Sequence, residues 1–230
     1  MKIICEIPVR EGSKRVPNKN IIVVNGKRIV EYIIDVAVKS EVFDEIWINT
    51  NSKVIIDEYN KGNLLYNKKI LIYKRPEKLC SDTAKSDEFN YDFAINTESD
   101  ILVMLNPVCP LLKSSSVKKA VKTFINQNQY DTLISCSKTQ MQAFVDGISV
   151  NFDSSKALGP SQENKEVKIL NWAITIWKTS KLIDRYEFDR SCVLGNKRML
   201  FDITPLESIK LSNEDDLNLI KELLSKKNNN

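Results

Sequence analysis

The residues best suited to chemistry stand together near the start of the chain: Arg10-Glu11-Gly12-Ser13-Lys14-Arg15-Val16-Pro17-Asn18-Lys19-Asn20. They follow an apolar run of buried-strand length, Ile3 to Pro8, and end before an amphipathic segment that opens near Lys27. The stretch holds four cations, one glycine, one serine and two asparagines. At the end of a strand, where an α/β sheet leaves a crevice, such a loop can present backbone N–H groups and cations to a polyphosphate. It has neither the GxxxxGK[ST] nor the GxGxxG spacing, so it is neither a Walker loop nor a dinucleotide fingerprint. The plainer reading of the same residues is a solvated basic turn.

The chemistry these residues suit is nucleotidyl transfer. An oxygen nucleophile attacks the α-phosphorus of a triphosphate while pyrophosphate leaves, and negative charge builds on the non-bridging oxygens and the leaving group. The protein's task is then positioning and charge stabilisation. Arg10 can fork onto two phosphate oxygens, and Lys14 and Lys19 supply point charges. Gly12 allows close backbone approach, while Ser13 and Asn20 can donate hydrogen bonds. Arg75, at the end of another apolar run, can converge on the same crevice. The chain has no histidine, which removes His-based acid–base chemistry and His-dependent metal sites.

The spelling of the loop resembles the R-x-G-S-K-x-x-P-x-K-N signature of the acylneuraminate cytidylyltransferase family, enzymes that make CMP-activated nonulosonic acids from CTP. Further segments follow in the family's order. Arg75-Pro76-Glu77-Lys78-Leu79-Cys80-Ser81-Asp82-Thr83-Ala84 is similar to RPxxLxxDTA, with Ser86 behind it. Leu105-Asn106-Pro107-Val108-Cys109-Pro110-Leu111 resembles LQPTSPL, and Leu170-Asn171-Trp172-Ala173-Ile174 stands where the family has an NGAI-like strand. Glu207-Ser208-Ile209 and Glu214-Asp215-Asp216-Leu217 frame the C-terminal segment. The resemblance implies a mostly parallel, Rossmann-like α/β sheet of the nucleotidyltransferase type. It also implies that Arg10 and Lys19 are catalytic and that Gly12, Ser13, Lys14, Asn20, Arg75, Ser86 and Asn106 join them in binding nucleotide. Gln162, Lys168 and Asn171 become sugar-side candidates. Asn106 replaces a glutamine, keeping the amide with a shorter reach; it reads equally as a satisfied strand-end amide.

The departures are informative. Family members usually carry Asp-x-Asp holding Mg²⁺ on the triphosphate; here Lys210 and Ser212 occupy the two positions. An ammonium cannot ligate Mg²⁺, which takes oxygen donors, so Mg²⁺ is expected to ride mainly on the triphosphate, or Lys210 to replace part of its charge. Asp82, Asp202 and Glu207 are the other acids within reach, each with a structural reading. Glu214, Asp215 and Asp216 read as the charged start of a helix, capped by Ser212 or Asn213. On the sugar side the family's arginine is Ile169, the arginine after PTSPL is Leu112, and the small residue after Asn is Trp172, either a stacking surface for a sugar or a core tryptophan.

The elements that position these residues alternate as strand and helix, the pattern of a parallel sheet with helices on its faces. Strands are expected at Ile3–Pro8, Glu45–Asn49, Lys69–Tyr73, Ile101–Leu105 and Thr132–Cys136. Helices are expected from about Arg28 to Lys39, from Asp87 to Asn96, and from a Ser116 cap to Gln127. From Lys138 to Lys168 the pattern loosens into hairpins, an insertion through which the resemblance implies a homodimer. At 230 residues with a net charge of +4, the chain reads as one domain without the charge concentration of a nucleic-acid binder. Five scattered cysteines without a CxxC pair read as free thiols in a reducing cytoplasm. No apolar run or N-terminal leader suggests a membrane. The function read from the sequence is transfer of CMP from CTP to an acidic, nonulosonic-acid-like sugar; the alternative is a non-catalytic nucleotide-binding or scaffold relative.

Overall fold

The computed structural model describes residues 1–13, 15–62 and 70–227; Lys14 and Lys69 lie outside them. Among the described residues eleven strands and six α-helices follow in chain order: β1 Ile3–Val9, β2 Val23–Val24, β3 Lys27–Arg28, α1 Ile29–Ser40, β4 Glu45–Thr50, α2 Lys53–Asn60, β5 Ile70–Lys74, α3 Ser86–Ile95, β6 Ile101–Leu105, α4 Ser114–Ile125, β7 Thr132–Thr139, β8 Phe144–Val145, β9 Ile148–Ser149, β10 Val167–Lys178, α5 Thr179–Asp189, β11 Arg198–Asp202 and α6 Glu214–Lys227. Seven strands form the central sheet in the order β11-β7-β10-β6-β1-β4-β5. All its neighbours pair in parallel except β10, which runs antiparallel to both β6 and β7. The sheet is therefore the mostly parallel α/β sheet expected from the sequence.

The apolar runs explain the layering. Cys5, Ile7 and Val9 of β1 join a core under α1 and α4, where Val30, Ile33, Ile34, Val117, Ala120, Val121 and Phe124 are buried. Alternate residues turn to the other face, where Ile4, Leu102, Met104 and Trp177 pack with Phe93 of α3 and Leu182 of α5. A third cluster joins α6 to the loop after β6 through Val108, Leu111, Leu211, Ile220 and Leu224. Among the described residues no helix is long and apolar enough to cross a membrane.

Three local outcomes depart from the sequence reading. Helix α4 begins at Ser114, with Lys113 at its N-cap and no side-chain cap. Ser116 is thus not a cap, and its hydroxyl donates instead to buried Glu207 Oε1 at 2.5 Å. The segment 138–168 is not all insertion, because β7 and β10 continue into it and pair Lys138 with Lys168 and Thr139 with Val167. Helices α2 and α5 and strand β11, none of them expected from the sequence, complete the sheet's cover and edge.

The chain leaves β1, passes through α1 to β4 and on to β5 on one side, then returns to place β6 on the other side of β1. The strand order reverses between β1 and β6, the point where α/β sheets leave a ligand crevice at the strands' carboxyl ends.

Candidate active site

A cleft of about 670 Å³ opens at that switch point. Its walls include Arg10, Ser13, Lys19 and Asn20 from the loop after β1, Arg75 after β5, Ser86 at the start of α3, Asn106 after β6 and Lys210 before α6. Phe89, Met104, Trp172, Val193 and Leu194 supply apolar wall. Residues as far apart in sequence as Arg10 and Lys210 thus meet because each follows, or lies beside, the carboxyl end of a central strand.

The cationic loop is fixed by its one acid. Glu11 Oε1 accepts from the Ser52 hydroxyl at 2.9 Å and from the Lys53 backbone N–H at 3.1 Å, so it sits on the first turn of α2. Arg10 spans to the segment after β5: Nη1 donates to the Cys80 carbonyl at 3.1 Å and Nη2 to Asp82 Oδ1 at 2.8 Å. The fork foreseen for phosphate oxygens is therefore partly engaged with protein. Gly12 has φ +80°, a left-handed backbone that favours glycine, yet it does not line the cleft. Asn20 is only 5% exposed; its amide donates to the Arg10 carbonyl at 3.3 Å, and its Oδ1 is buried without a partner. A buried orphan acceptor is costly, and a ligand donor would satisfy this one. Lys19 has a lowered pKa, first from burial and then from Lys210, Arg15 and Arg10. An anion among these cations relieves that repulsion.

Beneath the floor lies a polar network that the sequence reading missed. Glu6 of β1 is fully buried. Its Oε1 accepts from Asn49 Nδ2 at 2.6 Å, and its Oε2 has no partner. Burial pushes Glu6 up to about 7, against the opposing pull of Arg75 and the Asn49 amide. Asn49 in turn holds Arg75, whose Nε donates to Asn49 Oδ1 at 2.9 Å and whose Nη2 donates to the Asn49 carbonyl at 3.0 Å. The guanidinium lies 4.4 Å over the Phe89 ring. Arg75 thus reaches the cleft from a fixed seat, 5% exposed. A glutamate inside the apolar run IICEIP was the signal available in the sequence.

The acids are committed elsewhere. Asp82 pairs with Arg10. Asp202 accepts from the Cys136 thiol and pairs with Lys168 at 3.2 Å. Glu207 accepts from Lys113 N, Ser116 Oγ and Thr204 Oγ1. Asp216 Oδ2 accepts from Ser212 N and Asn213 N, while Asn213 Oδ1 accepts from Asp216 N, a reciprocal helix cap. Asp87 is the one carboxylate lining the cleft among the described residues, and its Oδ1 accepts from Cys192 N and Val193 N. No group of three metal-ligating side chains occurs among the described residues. This donor set does not fit a divalent cation held by the protein. Lys210 stands in the cleft instead, its segment tied to the β6 exit by the Leu211 N–H donating to the Val108 carbonyl at 2.9 Å.

The three sugar-side candidates do not line the cleft. Lys168 is occupied by Asp202. Gln162 belongs to a short 3₁₀ turn, Ser161–Glu163, and its carbonyl accepts from Gln140. Asn171 is spent inside the sheet: Oδ1 accepts from Ser135 Oγ at 2.6 Å and Ala173 N at 3.2 Å, and Nδ2 donates to Ser137 Oγ at 3.0 Å. Its neighbour Trp172 faces the cleft. Asn106 Oδ1 accepts from Val108 N at 3.3 Å, forming a turn at the strand end; its amide nitrogen has no such bond among the described residues.

The cytidylyltransferase family model matches residues 4–187. The chain is 32% identical over 142 residues to an N-acylneuraminate cytidylyltransferase of Escherichia coli O18:K1:H7, covering 60% of this chain and 32% of that protein. It therefore spans about a third of that relative's length. It is 29% identical over 238 residues to the post-translational flagellin modification protein B of Campylobacter coli, covering 99% of this chain and 97% of that protein. In fold it is similar to a CMP:2-keto-3-deoxy-manno-octonic acid synthetase solved with CTP, at TM-score 0.72 and 13% identity over 99% of this chain and 100% of that one. With the matching segment reaching from β1 to α5 and enclosing nearly the whole cleft, the chain belongs to the cytidylyltransferase family.

Proposed function

We propose that this protein transfers CMP from CTP to a nonulosonic-type sugar acid, releasing pyrophosphate, in the cytoplasm. The observation that carries the reading is the convergence of Arg10, Ser13, Lys19, Asn20, Arg75, Ser86 and Asn106 on one cleft at the sheet's switch point. In the reaction an acceptor hydroxyl oxygen bonds to the α-phosphorus, and the bond from that phosphorus to the α,β-bridging oxygen breaks. Pyrophosphate leaves with the electron pair, and the hydroxyl proton passes to solvent. Lys19 and Arg10 hold the triphosphate, with Lys14 of the same loop as a further cation. Asn20 Oδ1 accepts from a nucleotide hydroxyl, and Arg75 and Ser86 flank the base. Gly12 serves the loop's turn.

Cytidylyltransferases of this fold generally use a divalent metal ion. In this chain a divalent ion would have to be held by the triphosphate and water, since no carboxylate of the cleft is free to hold it, and Lys210 supplies a cation in the cleft where relatives of the resembling family carry an acid. The same substitution favours a second reading, a nucleotide-binding relative without turnover. Pyrophosphate release measured with each nucleoside triphosphate and a panel of sugar acids, with and without Mg²⁺, separates the two. Release with CTP and with no other triphosphate supports transfer. CTP binding without release from any acceptor supports the second reading, and no CTP binding overturns both.

The segment 138–168 supports a homodimer. Met141, Phe144, Val145, Ile148 and Leu158 are exposed there, a larger apolar surface than isolated residues explain. A light-scattering mass of two chains is expected, and a mass of one chain at micromolar concentration overturns it.

A further inference from the structure

Trp172 has a backbone conformation that tryptophan rarely adopts, with φ +60°. The other non-glycine residues with positive φ among those described are Asn18, Asn25, Glu41, Asp146 and Arg190, all in turns, loops or helix caps. Trp172 alone lies within a strand. The cause is a bulge: Leu170 of β10 faces Cys136 of β7, and Thr175 faces Ile134, so residues 171–174 stand against the single Ser135. Asn171 fixes the bulge through Ser135, Ser137 and Ala173. Ser135 Oγ also accepts from Ile174 N at 2.9 Å. The pinned backbone brings Trp172 into the cleft wall with Met104 and Val193.

The indole N–H supplies a second, independent observation. Trp47 Nε1 donates to Glu45 Oε2 at 2.9 Å and Trp177 Nε1 to the Val193 carbonyl at 2.9 Å. Trp172 Nε1 has no acceptor among the described residues. It is not one of the buried orphan atoms of the described residues, which are Glu6 Oε2, Asn20 Oδ1, Asn90 Oδ1 and Thr175 Oγ1, so this donor is accessible and free for a ligand in the cleft that Trp172 lines.

Position assigns the partner. Across the carboxyl edge of the sheet, Arg75 follows β5 and Trp172 lies in β10, four strand spacings away, about 19 Å at ~4.8 Å per strand. The cationic loop after β1 stands between them. A nucleotide on the loop leaves Trp172 to the second substrate. We propose that Trp172 is the acceptor platform: its ring face takes an acyl methyl or C–H face of an acylamino sugar acid, and Nε1–H donates to an acyl or ring oxygen. This rests on the cytidylyltransferase reading above.

The test compares wild type with Trp172→Phe and Trp172→Gly, using N-acetylneuraminic and N,N'-diacetyllegionaminic acids as acylated acceptors and 2-keto-3-deoxy-manno-octonic acid as the unacylated one. Glycine accepts φ +60° without strain, so Trp172→Gly is expected to fold, as thermal unfolding will verify. With the better acylated acceptor its kcat/KM should fall at least tenfold, while KM for CTP changes less than twofold and the preference over the unacylated acid collapses. Trp172→Phe keeps the ring, loses the donor and should fall about threefold. Acceptor should quench tryptophan emission in wild type but not in Trp172→Phe, a readout that stands even where the glycine variant misfolds. Unchanged acceptor preference in Trp172→Gly, or equal quenching in wild type and Trp172→Phe, overturns the platform while transfer stands. Absence of pyrophosphate release with every acceptor overturns transfer and the platform with it.

Discussion

The two halves of the cleft are built by opposite means. The half proposed for the nucleotide is a loop of charges after β1, tethered at its edges by Glu11 to α2 and by Arg10 to the segment after β5. The half proposed for the acceptor is a backbone distortion within β10, with a tryptophan aimed by neighbouring amide and hydroxyl bonds. Charge chemistry announces itself in residue types, because four cations in one loop have few structural uses. A bulge is a matter of register, which residue types do not encode. The comparison also predicts separable failures: changes on the loop and under its floor should alter CTP binding and stability, and leave acceptor selectivity in place.

The largest effect is expected from Glu6→Gln. The folded-state pKa of Glu6, about 7, lies above the unfolded value of about 4.3. The folded protein therefore holds a proton that the unfolded chain releases, and stability falls as pH rises from about 4.3 to about 7. Beyond that window the loss is complete, on the order of 3–4 kcal/mol at about 1.36 kcal/mol per pKa unit. Glutamine keeps an acceptor for Asn49 and removes the titration. Urea denaturation across the range from about pH 4 to about pH 8 should show the variant gaining on wild type as pH rises, and parallel pH profiles would remove Glu6 from the account.

Next in size is the double change Lys210→Asp with Ser212→Asp. Two negative charges replace one positive charge beside the triphosphate, and solvent exposure of Lys210 screens the penalty. Mg²⁺-free CTP affinity should fall on the order of a hundredfold, about 2.7 kcal/mol, and added Mg²⁺ should restore it more than in wild type. Calorimetry at several Mg²⁺ concentrations gives the answer. Affinity that rises without metal would show that Lys210 does not stand in for a cation.

Lys19→Ala sharpens the nucleotide half with the smallest effect. A charge-assisted contact contributes about 1.5–3 kcal/mol, and partial exposure places Lys19 at the lower end, roughly tenfold in CTP affinity. Unchanged calorimetric binding would take the loop out of phosphate recognition.

The fold was largely legible because apolar runs of strand length alternate with helical periodicity, and Ile101–Leu105 matches the observed strand residue for residue. Helices α2 and α5 escaped notice because their apolar stripes are thin: Ile55 is the buried residue of one, and Thr179 and Leu182 of the other. On the site, the cationic loop and Arg75 stood out by charge and by their places after strands, Ser86 and Asn106 only through the family resemblance, and Arg10, Ser13, Lys19, Asn20, Arg75, Ser86 and Asn106 all line the cleft. Gln162, Lys168 and Asn171 misled because a polar residue near a site looks the same whether it faces ligand or sheet. Asn171 faces the sheet, where it holds the bulge. Glu6 and Asn49 were invisible as a pair because they lie on adjacent strands 43 positions apart.

The bulge in β10 also bears on how this protein can change over time. Between Leu170 and Thr175 the strand advances five residues while β7 advances two, an odd difference, so the alternation of faces is reversed across it. Ile174 and Ile176 reach the α1–α4 core, and Trp177 the α3–α5 core, only because that difference is odd. Losing or gaining one residue here would turn each of them to the wrong side of the sheet. An insertion or deletion between Leu170 and Thr175 would therefore disturb both cores as well as the acceptor wall, whereas a substitution at position 172 leaves the cores in register and is felt at the wall alone.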